Sequence, residues 1–164
     1  MCIRDRSKSY DDHLAVRHLD LSVRAGRIVG LVGPNGAGKT TTLRCVAGIL
    51  PASGGEVEIA GHSLADAPID AKRELAFVPD TPHLFDYLTV QDHLLFIARL
   101  YGVENAGPKI DELLELFELS EKRDVLPGAL SRGMSQKLAI SMAFLHEPPA
   151  VSYTHLTLPT IRSV

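Results

Sequence analysis

Positive charge is not in excess in this chain: 17 lysines and arginines stand against 20 aspartates and glutamates, for a formal net charge of −3. That balance removes any general electrostatic reason to bind DNA, RNA or an anionic membrane, so no nucleic-acid partner is expected and phosphate chemistry has to come from a local site. Long apolar runs are missing too. The richest, residues 94–101, is interrupted by Arg99 and reads as a buried helix rather than the roughly 20 residues that cross a bilayer. Residues 1–12 are polar and charged, unlike a secretory leader. The two cysteines, Cys2 and Cys45, have no metal-ligand spacing and read as free thiols of a reducing compartment. What the chain does have, 45% hydrophobic and 23% charged residues over 164 positions, suits one compact domain. The expectation is a soluble, cytoplasmic protein.

Leu19, Leu21 and Val23 alternate with Asp20, Ser22 and Arg24, the period of a half-buried strand. After a turn at Ala25-Gly26, residues 27–32 (Arg-Ile-Val-Gly-Leu-Val) read as a strand buried on both faces, as in parallel sheets. A helix is expected over 41–50, a strand over 56–60 closed by Gly61, and a short strand over 75–78 stopped by Pro79. From Thr89 the pattern turns helical. Thr89 with Asp92 forms a capping-box start, and Val90, Leu94, Ile97, Ala98 and Tyr101 follow helical spacing up to Gly102. Pro108 opens a second helix, with Ile110, Leu113, Leu114 and Phe117 on one face. After a loop rich in Gly and Pro, Ser131 reads as the cap of a third helix over 134–146, apolar nearly all round and so expected to be buried, ended by Pro148-Pro149.

Residues 33–40, Gly33-Pro34-Asn35-Gly36-Ala37-Gly38-Lys39-Thr40, carry Gly-x-x-x-x-Gly-Lys-Thr between an expected buried strand and an expected helix, the context that confirms a phosphate loop. Glycines at 33, 36 and 38 let the backbone turn its N–H groups inward as an anion nest, and the helix adds its positive dipole end. Lys39 is expected at the β- and γ-phosphates of a nucleotide, and Thr40 at a Mg²⁺ ion. A GTPase would add an Asn-Lys-x-Asp motif, but Asn35 and Asn105 are the only asparagines and neither precedes lysine. On the loop alone a small-molecule kinase stays open.

With its neighbouring motifs, the sequence resembles an ATP-binding cassette (ABC) transporter ATP-binding subunit of the bacterial exporter kind, over residues 9–150. The stretch running from Gly33 through Thr41 has the form typical of that family. Tyr10, about two dozen residues upstream, falls where the family stacks an aromatic on adenine, a contact worth about 1 kcal/mol beyond area burial; an ordinary strand tyrosine is the alternative. Leu130-Ser131-Arg132-Gly133-Met134 resembles the family's Leu-Ser-Gly-Gly-Gln signature, with Arg132 in place of a glycine and Met134 in place of the glutamine. It is a second capped helix start able to meet phosphate. In the family it serves the ATP of a partner subunit in a head-to-tail dimer. Asp80 stands where the family usually has a glutamine that contacts Mg²⁺ and the transport partner; it reads equally as a Mg²⁺ ligand or as a turn aspartate between Pro79 and Pro82.

The resemblance implies an α/β fold: a P-loop NTPase core with an N-terminal antiparallel β portion and an inserted α-helical subdomain at about residues 84–131. It implies ATP and Mg²⁺ as cofactors and a transmembrane permease subunit as partner, contacted by residues 82–101. The chain would lie in the cytoplasm, peripheral to the inner membrane. One family feature is missing. After Ala150 the family continues with a buried strand ending in Asp-Glu, whereas here no Asp or Glu follows Glu147, and His155 is too near to serve as the family's later γ-phosphate histidine. Residues 151–164, and likewise residues 1–7, resemble translated sequencing-adapter read-through, leaving residues 8–150 as the domain. Residues 151–158 alternate and are expected to be placed as a substitute strand. The resemblance implies an ATPase subunit that couples ATP binding and hydrolysis to transport through a separate membrane subunit, while this chain, with no catalytic carboxylates present, is itself expected not to hydrolyse ATP. A soluble cassette ATPase without a membrane partner, and a non-hydrolysing nucleotide-binding module, remain the alternatives.

Overall fold

Strand pairing begins at once. In the computed structural model, which describes residues 1–10, 13–51 and 53–154, β1 (Cys2–Tyr10) runs antiparallel to β2 (His13–Ser22), with Tyr10 opposite His13. Leu19, Leu21 and Val23 are half-buried while Asp20, Ser22 and Arg24 are exposed, so the alternation read from sequence is realised. On its other edge β1 meets β3 (Gly54–Ile59), and β3 meets β4 (His62–Ser63), giving an antiparallel sheet in the order β2-β1-β3-β4. Residues 2–7 thus run along the inside of this sheet, with Ile3 buried beside Val57 and Ile59.

The first helix, α1 (Lys39–Val46), packs Val46 and Ala47 into the same cluster, together with Ala71 of α2 (Pro68–Arg73). It is shorter than the expected 41–50. Gly48, at φ 64°, reverses the chain, and its N–H and that of Ile49 close onto the carbonyls of Cys45 and Arg44 at 3.1 and 3.0 Å. Such a left-handed residue just beyond the last turn ends a helix.

A second layer is helical. Thr89 caps α3 (Val90–Tyr101) through the expected capping box with Asp92, and Gly102 ends it at φ 69°. α4 (Ala106–Leu116) starts two residues before Pro108, whose ring is tolerated in a first turn that needs no N–H donor there. The Ser120–Lys122 and Pro127–Ala129 3₁₀ turns lead to α5 (Arg132–Phe144). Val90, Leu94, Ile110, Leu113, Leu114, Leu119, Leu138 and Leu145 form the core of this layer. α5 begins at Arg132 and not at 134, because the cap is Ser131. It is also less buried than expected: Leu138, Ser141 and Ala143 are buried, while Phe144 is 44% exposed.

β5 (Leu75–Val78) joins the layers, with Ala76 and Val78 packing on Ala143 of α5. It pairs in parallel with β6 (Ala150–Tyr153), from Leu75 opposite Ala150 to Val78 opposite Tyr153. The strand expected over 151–158 is therefore formed through Tyr153, and residues 155–158 lie outside the described residues. The clearest correction concerns residues 27–32. They form no strand, and Ile28 and Val32 are 97% and 95% exposed. A strand apolar on both faces needs a neighbour at its edges and a layer over each face. Among the described residues the parallel sheet has only β5 and β6, and neither pairs with this segment.

Candidate functional site

The glycine-rich segment is a bent loop running directly into α1. Gly36 and Gly38 take φ values of 83° and 79°, left-handed positions that favour glycine, and Gly38 is the residue preceding α1. Gly33 has no such value; a Cβ built on it would lie 3.4 Å from that of Ala37, so the fold leaves little room to spare there but does not demand glycine. The bend is closed by the Ala37 N–H to the Pro34 carbonyl at 3.3 Å. Lys39, first residue of α1, folds back over it, and Nζ donates to the carbonyls of Gly33 and Pro34 at 2.8 and 2.7 Å. Pro34, Asn35, Ala37 and Thr40 are exposed and Thr41 is half-buried. An ammonium group, a helix N-terminus and a turned backbone therefore come together on one exposed bend, an arrangement that attracts a polyanion. Tyr10 closes β1 as the backbone partner of His13, and its side chain lies outside the described residues.

The second expected phosphate device is a separate helix start. Ser131 Oγ accepts from the Met134 N–H at 3.2 Å, capping α5 and leaving Arg132 and Gly133 exposed at its tip. Met134 turns inward to the helical core. Asp80 belongs to this second group. Arg132 Nη2 donates to its Oδ1 at 3.4 Å, and Gln136 Nε2 donates to its main-chain carbonyl. The partners found for Asp80 come from α5 and none from the phosphate loop. No cluster of three or more His, Cys, Asp or Glu side chains fit to hold a metal occurs among the described residues.

Two residues of this region carry no signal in local sequence. Gln136 meets Asp80 across 56 positions, a contact that only the tertiary fold creates. His93, fully buried, accepts the Phe85 N–H at Nε2 (2.9 Å) while Nδ1 donates to the Thr89 carbonyl (2.8 Å), fixing the loop before α3. Behind the Asp80 loop, Phe77, Pro79, His83, Tyr101 and His146 line a cavity of ≈ 220 Å³. The Tyr101 and His146 rings stack there at 3.8 Å. Burial holds the His146 imidazole below its ordinary value, and burial raises the Tyr101 phenol. A larger cleft of ≈ 420 Å³, lined by Gly48, Gly54, Gly55, Leu64 and Lys72 among others, includes none of the expected site residues.

Two glycine-shaped helix starts in one α/β chain, one of them with its lysine folded over the bend, match a known sequence profile: that of the ABC transporter family, over residues 16–151. The chain belongs to the ABC transporter family. Curated relatives agree. It is 37% identical over 149 residues to the SkfA peptide export ATP-binding protein SkfE of Bacillus subtilis (strain 168), covering 90% of this chain and 62% of that protein. It is 35% identical over 144 residues to the bacitracin transport ATP-binding protein BcrA of Bacillus licheniformis, covering 88% and 47%. Among solved structures, an ATP-binding subunit of an ABC transporter superposes with a TM-score of 0.88 at 34% identity, over 93% of this chain and 64% of that one. A dimeric ATP-binding cassette in a post-hydrolysis state, bound to ADP and Pi, gives 0.81 at 25% identity, over 93% and 72%. The fold is thus the α/β P-loop NTPase fold of ABC ATP-binding subunits. The chain spans about three-fifths of the length of the first curated relatives it matches.

Proposed function

We propose that this chain is the nucleotide-holding part of an ABC transporter ATP-binding subunit, taking up ATP in the bend from Gly33 to Thr41 and acting through a separate membrane subunit. The observation that carries this reading is the position of Lys39, whose Nζ lies across the bend on the carbonyls of Gly33 and Pro34, where the negative charge of a triphosphate would draw it. The turned backbone at Gly36 and Gly38 supplies N–H groups, and Pro34, Asn35, Ala37 and Thr41 shape the bend. Tyr10 is assigned to adenine. Thr40 offers an exposed hydroxyl suited to Mg²⁺, while the carboxylate of Asp80, the other oxygen donor assigned to it, is engaged by Arg132. The ion, when bound, neutralises charge on the β- and γ-phosphates. Titration calorimetry with Mg·ATP tests the reading: Lys39→Ala should weaken binding about ten- to hundredfold, as expected for losing a charged hydrogen-bonding group. Equal affinity in both chains would end the proposal.

The assembly inferred is a head-to-tail pair with a second ATP-binding subunit, in which Ser131, Arg132 and Gly133 face the partner's ATP while Met134, assigned with them, packs inward on the helical core. The dimeric relative bound to ADP and Pi supports this. The permease is taken to dock on the helical layer at residues 82–101. That choice is supported by exposed Phe85, Tyr87, Phe96 and Leu100, four large apolar groups within this one stretch. Such docking would hold the chain at the cytoplasmic face of the inner membrane. The domain boundaries are taken as residues 8–150, with 84–131 as the helical part, although residues 2–7 pair within the antiparallel sheet and residues 151–153 pair with β5.

A specific observation favours a second reading, nucleotide binding without hydrolysis. β6, the strand beside β5, offers Ala150, Val151, Ser152 and Tyr153 and no carboxylate. A positioned general base contributes typically about 10²–10⁴-fold to rate. Phosphate release measured under saturating Mg·ATP separates the two: turnover supports an ATPase, and tight binding with no release supports a binding module.

A further inference from the structure

Two departures from the family pattern, an aspartate at position 80 and an arginine at position 132, lie 52 residues apart and touch each other. Arg132 is the first residue of α5, where a cation sits unfavourably at the positive end of the helix dipole. The Asp80 carboxylate, at 3.4 Å from Nη2, offsets that placement. One turn further along the same face, Gln136 donates to the main-chain carbonyl of Asp80. The opening of α5 is therefore held at two points by a single residue, and that residue follows β5 by only Pro79. Neither departure makes sense alone. A lone arginine at that helix start would weaken it, and a lone aspartate in that loop would have no cation.

We propose that Asp80, Arg132 and Gln136 form a clasp that sets the angle at which α5 presents Ser131 and Gly133, making Asp80 and Arg132 positioning residues. Because Asp80 also begins the loop that leads to exposed Phe85 and Tyr87, the clasp joins the apolar helical surface to the tip of α5. That Ser131 and Gly133 are presented to a partner's nucleotide rests on the head-to-tail reading above.

Four versions of the full chain test the clasp: wild type, Asp80→Asn, Arg132→Gln, and the exchange Asp80→Arg with Arg132→Asp. In nucleotide-free protein, amide hydrogen exchange at residues 131–136 should be about two- to fivefold faster in each single variant, the range an exposed ion pair supports, and near wild type in the exchange. Equal rates in all four chains overturn the clasp. Self-association driven by Mg·ATP, followed by sedimentation, should weaken in both single variants. If Asp80 instead served as a metal ligand, Asp80→Asn would weaken association while leaving amide exchange at residues 131–136 at the wild-type rate, and the positioning role would be lost. A wild-type chain that never associates with Mg·ATP overturns the head-to-tail reading, while the exchange rates still decide the clasp.

Discussion

At the scale of single residues, short motifs with a fixed backbone purpose were legible and long-range partners were not. Gly36 and Gly38 could be assigned to the bend because only their conformational freedom makes Gly-x-x-x-x-Gly-Lys-Thr a phosphate cradle, and both hold left-handed values. Ser131 could be assigned as a cap because a hydroxyl before a helix meets the N–H three residues on, and its partner is Met134. Gln136 and His93 were invisible, since each works through a group brought close by folding. The Ser131 cap gives a direct test: Ser131→Ala should destabilise the chain by about 1 kcal/mol in chemical denaturation, whereas Ser131→Thr should stay near wild type.

At the scale of elements, legibility followed how much of each element's stability is local. α3 was readable at both ends, since its capping box and Gly102 lie within its own sequence. Removing the cap by Thr89→Ala should lower stability by about 1 kcal/mol in denaturant unfolding. The Thr89 hydroxyl, followed by the Thr89 N–H, also holds the Asp92 carboxyl below the usual carboxylate value of 3.8. A carboxylate with a depressed folded value stabilises the chain above its unfolded value, and that contribution is lost as the pH falls through the folded one. NMR titration of Asp92 should therefore show a lowered midpoint in wild type that moves up in Thr89→Ala. Residues 27–32 taught the opposite lesson. Their composition announced a buried strand, but strand character is conferred by neighbours, and β5 and β6 do not flank them. The same dependence explains α5, whose nearly all-round apolar sequence was read as buried although Phe144 is 44% exposed.

For the whole molecule, the family resemblance was legible from motif order, and the family profile and the two superposed structures agree with it. The layer junction was not, because β1 draws on residues of polar sequence and β5 meets α5 only in three dimensions. Two measurements apply at this scale. His146, stacked on Tyr101 between α3 and the end of α5, has its imidazole held below 6.5 by burial first and by Lys109 second, with Glu74 opposing. The folded chain therefore binds fewer protons than the unfolded one just below 6.5. Its stability should be highest above that value and fall as pH drops through the folded one. Melting curves from about pH 7.5 to about pH 5 should show this slope, flattened in His146→Phe. Mg·ATP at about 100 times its Kd should stabilise the chain by about 2.7 kcal/mol and raise the melting temperature by roughly 5–10 °C, an increment that the ten- to hundredfold weaker Lys39→Ala should cut to roughly 0.4–1.4 kcal/mol at the same concentration.

The exposed course of residues 27–32 also bears on how the cradle meets its cargo. A bend braced by a sheet on one side and a helix on the other arrives ready-made, whereas here α1 alone serves as the brace. On the proposed nucleotide-binding reading, part of the attraction between triphosphate and amides would go into fixing this exposed limb of the chain. Capture should be accompanied by a large unfavourable entropy, and tethering that limb would tighten the grip without adding a single new contact.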